Sequence, residues 1–259
     1  MAPQNLTILQ VEKPTEAMVD EAVKIFCNLM MDGLSSPDSP DIIVNQQCHS
    51  TDPLCIALSG GDRELIPESP RAMMNSLAFI AGEMYTATDE NGVMVGFTFW
   101  TKPGKCMFAT EDQLALGYLQ LLQKLSPECA AYHAQQIAKD QPAFVDECIG
   151  MPHVCVLPRG FFFSLIHGAT LSQAEMATYW CNFAFVRKDY QGKGIATALI
   201  DLVYQKAKKT GEVMALATTN ERNVRIYENL GFSVKGHQVV PSPWANWPIW
   251  IFTKPTNAA

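Results

Sequence analysis

A short glycine-containing segment is the part of the sequence best suited to bind an anion. It comprises Gln191, Gly192, Lys193, Gly194, Ile195 and Ala196. Because Gly192 and Gly194 have no Cβ, the backbone can approach a ligand closely there. A helix predicted to begin at about Gly194 adds unpaired N–H groups and the positive end of its dipole. The segment therefore favours binding of a phosphate or pyrophosphate; the alternative is a simple strand-to-helix turn.

The glycine spacing excludes two common phosphate-binding motifs. The Walker A pattern G-x-x-x-x-G-K-[ST] is absent, and Thr197 stands where the Rossmann pattern G-x-G-x-x-G needs its third glycine. Lys206, Lys208 and Lys209 would complement the far end of the predicted helix dipole. We interpret these lysines as a solvated helix end rather than as a second binding patch.

The predicted elements place segment 191–196 between a strand and a helix. Apolar patterning predicts the strand over 179–186 and the helix over 194–210, with Gly211 as the C-cap. Further elements are predicted as a strand over 213–218, a helix over 221–230 and strands over 233–240 and 247–253. The segment is thus expected at the open end of a sheet strand.

The first half of the sequence predicts a hairpin and several helices. Asn91-Gly92 between apolar runs at 83–88 and 93–100 is a strong hairpin signal. Other elements are predicted as a strand over 6–11 and helices over 15–31, 70–82, 112–125 and 128–149, with loops and short helices over 33–64. We interpret the stretch from 101 to 170 as a helical insertion.

A second motif follows the strand predicted at 213–218 and contains a tyrosine. It spans residues 220–232 and reads Asn-Glu-Arg-Asn-Val-Arg-Ile-Tyr-Glu-Asn-Leu-Gly-Phe. Asn220 begins it and Tyr227 lies seven residues later. In this order and on these elements, the two motifs together resemble those of the GNAT family of acyl-CoA N-acyltransferases.

The resemblance rests on individual positions. Gln191, Gly194 and Ala196 fit the family signature Q/R-x-x-G-x-G/A. Residues 220–232 are similar to the family segment N-x-x-A-x-x-x-Y-x-x-x-G-F, although Asn223 stands where a small residue is commoner. Both motifs therefore match, with one departure at position 223.

The resemblance implies an α+β fold with a mixed, mostly antiparallel sheet flanked by helices. It covers about 175–240, is weaker over 83–100 and is absent over 101–170. We accordingly expect one domain over residues 1–259, enlarged by a helical insertion before the central strand.

The resemblance also implies acetyl-CoA as co-substrate and a mode of binding it. The strands at 179–186 and 213–218 would splay apart and hold the pantetheine arm between them, much as a sheet holds an added strand. Backbone groups of Phe185 and Val186 would bind this arm or the thioester carbonyl, and N–H groups of residues 192–196 the pyrophosphate. Asn220 and Asn223 would contact the cofactor, although capping of the next helix explains Asn220 equally well.

Tyr227 is the residue for which the resemblance implies proton transfer. A phenol with a pKa of about 10 keeps its proton at neutral pH and can donate it to a leaving thiolate, whose pKa is about 8.5. The alternative is a tyrosine of an amphipathic helix whose hydroxyl bonds to backbone. We therefore predict Tyr227 as the general acid.

The sequence does not single out a general base. The candidates are Glu83, Asp89, Glu111, His133, His167 and Glu175, each of which also has a plain structural interpretation. Cys181 lies in a predicted strand with no neighbouring base, which favours a buried thiol over an acyl-enzyme nucleophile. We therefore expect direct attack of the amine in a ternary complex.

The acceptor is predicted to be the amine of a small molecule. Trp244, Trp247 and Trp250 suggest an aromatic wall that would suit an apolar or cationic amine, whereas the alternative is that they seal the core. Two further functions stay open, namely acetylation of a protein N-terminus or lysine, and a non-catalytic acyl-CoA-binding module.

Composition limits the classes of partner. The chain has 259 residues with 48% apolar and 17% charged residues, which excludes global disorder. Its net charge of −7 disfavours nucleic acid, and prolines interrupt its two longest stretches of low charge, so we expect no membrane span. Eight cysteines without a C-x-x-C pair and a start without a signal-peptide pattern lead us to expect no metal and a cytoplasmic protein. Monomer and homodimer are both compatible with the sequence.

Overall fold

The computed structural model describes residues 5–31, 52–151 and 171–256. These residues form a sheet whose strands are β1 Thr7–Val11, β2 Gly82–Thr88, β3 Met94–Thr101, β4 Tyr179–Val186, β5 Met214–Thr218, β6 Ser233–Val240 and β7 Trp247–Lys254. The strand order is β1-β2-β3-β4-β5-β7-β6. Every neighbouring pair is antiparallel except β4 and β5, which are parallel. The predicted α+β class with a mixed, mostly antiparallel sheet is confirmed.

Helices flank this sheet on both faces. They are α1 Glu16–Met31, α2 Pro53–Leu58, α3 Glu68–Ser76, α4 Glu111–Ala115, α5 Tyr118–Lys124, α6 Pro127–Tyr132, α7 Gln141–Ile149, α8 Gln173–Ala177, α9 Ile195–Thr210 and α10 Arg222–Asn229. Thr15 caps α1 by accepting the N–H of Met18 on its hydroxyl. None of the described helices combines the length and apolar character that a membrane crossing needs.

Two predicted helices are interrupted in the structure. The one predicted over 112–125 is divided into α4 and α5, because Gly117 takes φ +124°, a conformation that side chains other than glycine rarely adopt. The one predicted over 128–149 contains a π-helical stretch, His133–Asp140, between α6 and α7. Pro142, in the first turn of α7, has no N–H to donate, and the wider π turn accommodates it.

The two faces of the sheet carry separate groups of helices. On one face, Leu199 and Val203 of α9 pack with Cys181 of β4 and Leu216 of β5. On the other face, α2, α7 and α8 pack against Trp180, and α1 and α3 pack against the phenylalanines of β3 and β4. Because Trp180 and Cys181 are neighbours in a strand, they point to opposite faces. The central strand β4 is therefore covered on both sides.

Candidate active site

β4 and β5 separate from each other soon after they begin to pair. Their pairing covers only Tyr179 with Met214, Trp180 with Ala215 and Cys181 with Leu216. Beyond Cys181 the next residue, Asn182, is bulged: on β3, Phe99 pairs with Phe183 and Trp100 with Cys181, so Asn182 has no partner there. The predicted splaying of the two strands is present, and the bulge lies where it begins.

The backbone of Val186 faces the gap between the two strands. The N–H of Arg187 donates to the carbonyl of Val95 in β3 at 2.9 Å. Since successive strand residues alternate in direction, the backbone groups of Val186 point away from β3. The Gln191 side-chain amide donates to the Val186 carbonyl at 3.0 Å, whereas the Val186 N–H is directed into the gap.

Phe185 occupies a different position from the one predicted for it. It pairs with Phe97 of β3, so its backbone groups face that strand rather than the gap. Its ring stacks on Phe97 with centroids 5.8 Å apart and packs against Phe26 of α1 at 5.0 Å. The backbone role expected for both residues therefore fits Val186 and does not extend to Phe185.

The loop before α9 presents a row of free N–H groups. Gly192 and Gly194 both adopt left-handed φ values, +74° and +76°. Within the described parts of the chain, no hydrogen bond is donated by the backbone N–H of residues 192–196. Residues 191–194 are exposed, so these donors are open to a ligand at the N-terminus of a 16-residue helix.

Positive charge lies beside this loop. The Tyr190 ring is covered by the Lys193 ammonium at 4.5 Å and the Arg187 guanidinium at 5.3 Å. Arg187 also forms an ion pair with Asp189 at 2.8 Å, whereas no ion pair of Lys193 occurs among the described residues. The charge of Lys193 is thus available to an anion at the loop. No local pattern in the sequence indicates that Tyr190 supports these two cations.

Asn220 and Asn223 organise the turn after β5. The Asn220 side chain accepts the N–H of Arg222 at 3.0 Å and so supports the start of α10. The Asn223 amide donates to the Thr218 hydroxyl at 3.2 Å at the end of β5. Both contacts are structural, and the capping alternative for Asn220 agrees with this geometry. A cofactor contact of either residue stays a prediction.

Tyr227 lies where the gap begins. Its ring contacts Phe252 of β7 at 5.6 Å and Phe232 at 6.1 Å. The side chain is half-buried, and its hydroxyl makes no hydrogen bond within the described ranges. Burial, with a contribution from the nearby thiol of Cys181, raises the pKa of Tyr227. At neutral pH the Tyr227 hydroxyl therefore keeps its proton, and no acceptor among the described residues binds it.

The comparison with family models agrees with this geometry. The model of the acetyltransferase (GNAT) domain matches residues 146–234. This stretch is therefore similar to a GNAT acetyltransferase domain. It includes β4, the loop before α9, β5 and α10, so the matched stretch contains both motifs. No curated protein matches the sequence.

Solved structures with a similar overall shape are also acetyltransferases by their descriptions. One, from Corynebacterium glutamicum, is described as histone acetyltransferase HPA2 and related acetyltransferase; it is 14% identical with a TM-score of 0.49, covering 99% of each chain. The ribosomal-protein-S18-alanine N-acetyltransferase from Escherichia coli is 12% identical with a TM-score of 0.45, covering 98% of this chain and 96% of its own. A phosphinothricin acetyltransferase from Sinorhizobium meliloti, in complex with acetyl-CoA, is 10% identical with a TM-score of 0.44, covering 97% and 89%. At these values the likenesses support no statement about activity.

Several of the predicted general-base candidates have structural roles instead. Glu83 is buried and accepts hydrogen bonds from Lys206 at 2.7 Å and from Tyr85 at 2.9 Å, with Lys102 at 3.1 Å. Burial alone would raise the pKa of Glu83, but these hydrogen bonds outweigh it and lower the pKa. Lys206 therefore ties α9 to β2, which differs from its interpretation as part of a solvated helix end.

The next four general-base candidates are not placed at the gap by the structure. Asp89 accepts the N–H groups of Asn91 and Val93 and orders the β2–β3 turn. Glu111 is exposed in the first turn of α4, and His167 lies outside the described residues. His133 bonds to the Leu58 carbonyl through Nε2 at 2.9 Å, and burial lowers its pKa. Asp89, Glu111 and His133 make no contact within the described ranges that directs them to the gap.

The three tryptophans do not form one wall. Trp247 is fully buried and donates its indole N–H to the Tyr132 hydroxyl at 2.8 Å. Trp250 lies on the other face of β7 and stacks on His237 at 4.4 Å, while Trp244 packs against Tyr132. The alternative that these residues complete the core fits better than the aromatic acceptor wall.

Glu175 is the remaining candidate and has an unusual environment. Its Oε2 accepts the thiol hydrogen of Cys106 at 3.4 Å. Burial and the nearby Asp146 raise the pKa of Glu175 to about 7, although the Cys106 hydrogen bond acts in the opposite direction. The carboxyl group therefore changes its charge near neutral pH.

This pKa makes the stability of the fold depend on pH. The unfolded chain has a Glu175 pKa near 4.5, so the protonated carboxyl contributes stability below that pH, which is lost as pH rises to about 7. Glu175→Gln removes this dependence. The free energy of unfolding of the variant minus that of wild type should therefore increase by about 3 kcal/mol from pH 4.5 to pH 8. Urea unfolding at four pH values measures the difference. The control is Glu147→Gln, an exposed carboxylate on α7, whose difference from wild type should stay constant; a constant difference for Glu175→Gln contradicts the prediction.

Proposed function

We propose that the chain is an N-acetyltransferase that moves an acetyl group from acetyl-CoA to the amine of a small molecule, by direct attack in a ternary complex. The observation that carries the proposal is the placement of three features around one gap. These are the free N–H groups before α9, the strand edge at Val186 and the unpaired hydroxyl of Tyr227. Together they offer an anion site, a backbone edge and a proton donor.

The residues present fit acetyl-CoA. This co-substrate supplies an activated acetyl thioester and a pyrophosphate on one long, flexible molecule. The free N–H groups of residues 192–196 and the Lys193 charge would hold the pyrophosphate. The Val186 N–H, which faces the gap, would hold the pantetheine arm as a strand edge holds an added strand.

Tyr227 would supply the proton that the leaving sulfur needs. Its raised pKa keeps the phenol protonated at neutral pH, and its hydroxyl has no competing protein acceptor among the residues described. The leaving thiolate, whose thiol has a pKa of about 8.5, is a weaker base than a phenolate. Its protonation by Tyr227 nevertheless removes a negative charge from a partly buried gap. The general-acid role is thereby compatible with the position of the side chain.

Cys181 supports the ternary complex rather than an acyl-enzyme route. Its thiol is buried and donates to the Phe183 carbonyl at 3.4 Å. Burial raises the pKa of Cys181, so the thiolate that a nucleophile requires is disfavoured. With no activated thiol at the gap among the residues that the structure describes, the acceptor amine is left as the attacking group.

The proposal is tested by binding first and transfer second. Calorimetry of the full chain with acetyl-CoA should show saturable binding, and release of free thiol should follow when a library of small amines is added. Absence of acetyl-CoA binding overturns the proposal entirely. Transfer only to peptide N-termini or lysines would show that the acceptor is a protein rather than a small molecule. Acetyl-CoA binding without any transfer would show that the chain is an acyl-CoA-binding module.

A further inference from the structure

A cavity of about 220 Å³ lies among the helices that surround Glu175. Its lining is mostly apolar and includes Leu54, Met73, Phe108, Leu114 and Ile137. An apolar cavity of about 150 Å³ takes a benzene ring, so this one has room for a ligand of about nine non-hydrogen atoms. The cavity therefore suits a small ring with a short substituent.

Glu175 is the carboxylate that lines the cavity, and one of its oxygens has no partner among the described residues. Glu175 Oε1 accepts no hydrogen bond within the described ranges, although Oε2 is bonded to Cys106. The Tyr118 hydroxyl and His133 satisfy each other at 3.3 Å, and the second nitrogen of His133 bonds to Leu58. No lysine or arginine lines the cavity in the part of the chain that the structure describes. An anionic ligand would find no counter-charge there, whereas an ammonium would.

Phe108 adds an independent sign that this wall is specialised. It adopts φ +60°, a left-handed conformation that is strained for a bulky side chain. Its ring is held by stacking on Tyr118 at 4.3 Å. Such strain persists where the surrounding structure imposes it, and it is concentrated at binding sites. Here it fixes an aromatic surface beside the cavity.

The cavity also lies on the appropriate side of the sheet. Three of the helices around it, α2, α7 and α8, pack on the Trp180 face of β4. The proposed cofactor features lie in the loop before α9 and at Tyr227 in α10, and both helices pack on the Cys181 face. The gap that opens after Cys181 lies in the sheet between these two groups of helices. A ligand held in the cavity would approach the sheet from the face opposite the proposed acetyl-CoA site.

We propose that this cavity binds the acceptor of the acetyl transfer, and that the acceptor is a small primary amine with an apolar body whose ammonium pairs with Glu175. As a statement about the acceptor, this inference rests on the proposed function. The single lining carboxylate selects a monoamine, since a second ammonium would find no second carboxylate among the described lining residues. A bound ammonium would lower the pKa of Glu175, because it favours the ionised carboxylate that burial opposes.

The test compares 2-phenylethylamine with 2-phenylethanol, which has the same number of non-hydrogen atoms and no charge. Calorimetry of the full chain without acetyl-CoA at about pH 8 should show the amine binding at least about tenfold more tightly, as expected for a desolvated ion pair. In Glu175→Gln this preference should disappear, whereas the exposed Glu147→Gln should keep it. Equal affinities in the wild type, no binding of either compound, or a preference that survives in Glu175→Gln each overturns the proposal.

A measurement on wild type alone covers the case in which Glu175→Gln does not fold. Between about pH 8 and about pH 5.5 the amine stays an ammonium while Glu175 becomes protonated, so the preference should fall at least about tenfold. The ionisable groups facing Glu175 are Cys106 and Asp146, with His133 and Tyr118 also lining the cavity. Burial raises the pKa of Cys106, so its thiol stays neutral in this range, and burial lowers the pKa of His133 from its usual value. A preference that does not change with pH contradicts the assignment to Glu175.

Titration of the same samples with acetyl-CoA separates this inference from the proposed function. Acetyl-CoA binding without an amine preference overturns the cavity assignment and leaves the acetyltransferase proposal standing. An amine preference without acetyl-CoA binding refutes the acetyltransferase proposal, and with it the identification of the amine as acceptor. Filling the cavity by Met73→Trp should abolish binding of both phenyl compounds, and retained binding places their site elsewhere.

Discussion

Tyr227→Phe lowers the turnover number by at least about 100-fold, within the range of general acid catalysis, while acetyl-CoA affinity changes by less than about threefold. The reason is that the substitution removes only the hydroxyl and keeps the ring. Contacts with Phe232 and Phe252 are retained, and no protein hydrogen bond is lost from the described part of the structure. Steady-state kinetics of thiol release and calorimetry with acetyl-CoA measure the two quantities separately.

Tyr204→Phe is the matched control for this prediction. Tyr204 belongs to α9, packs against the same buried cluster as Tyr227 and has the Lys254 ammonium over its ring at 4.2 Å. Loss of its hydroxyl should leave turnover within about twofold of wild type, as for a position outside the chemistry. An unchanged turnover in Tyr227→Phe removes Tyr227 from the mechanism, and equal losses in both variants indicate a packing effect.

The parts of the fold that the sequence predicted depend on local patterns. The bounds of β4 and β6 agree with the predicted 179–186 and 233–240, and α9 differs by one residue. The Asn91-Gly92 hairpin is confirmed by the pairing of β2 with β3. In each case neighbouring residues determine the structure, through apolar periodicity or through a turn that requires glycine.

The parts that were missed depend on contacts between residues distant in sequence. The Glu83–Lys206 ion pair joins residues more than one hundred positions apart, and the bulge at Asn182 is defined only by the register of β3. The cavity around Glu175 is formed by separate helices whose packing no single segment indicates. For the tryptophans the information was available: in a strand, Trp247 and Trp250 at three-residue spacing must face opposite sides.

The candidate site also contains features that local sequence predicts and features that depend on distant contacts. The positions of Gly192, Gly194 and Tyr227 around the gap could be predicted because each depends on residue type and spacing within a single motif. The different orientations of the Phe185 and Val186 backbone groups could not, since they depend on which strand residues face β3. Residue type therefore indicates the chemistry, and strand register decides which of two neighbours performs it.

Gly194→Asp should weaken acetyl-CoA binding at least about 100-fold, because a carboxylate at roughly 4 Å from the pyrophosphate costs between about 1 and 4 kcal/mol per charge pair. Gly194→Asn is the matched variant. Asn and Asp have nearly the same size and tolerate the left-handed conformation of Gly194 to a similar degree. The difference in acetyl-CoA affinity between the two variants therefore reports the effect of charge rather than of shape. The Asn variant should lose no more than about tenfold in acetyl-CoA affinity. Calorimetry with acetyl-CoA measures both.

Unfolding cannot account for the loss expected in Gly194→Asp. Gly194 is the N-cap of α9, where a negative side chain stabilises the helix by its interaction with the dipole. Thermal unfolding should therefore show the Asp variant at least as stable as the Asn variant, although it binds acetyl-CoA less well. S-acetylpantetheine, which has the thioester but no pyrophosphate, completes the design, since its affinity should be the same for both variants. Equal affinities of the two variants for acetyl-CoA, or an equal difference for S-acetylpantetheine, would remove the pyrophosphate from the loop at residues 192–196.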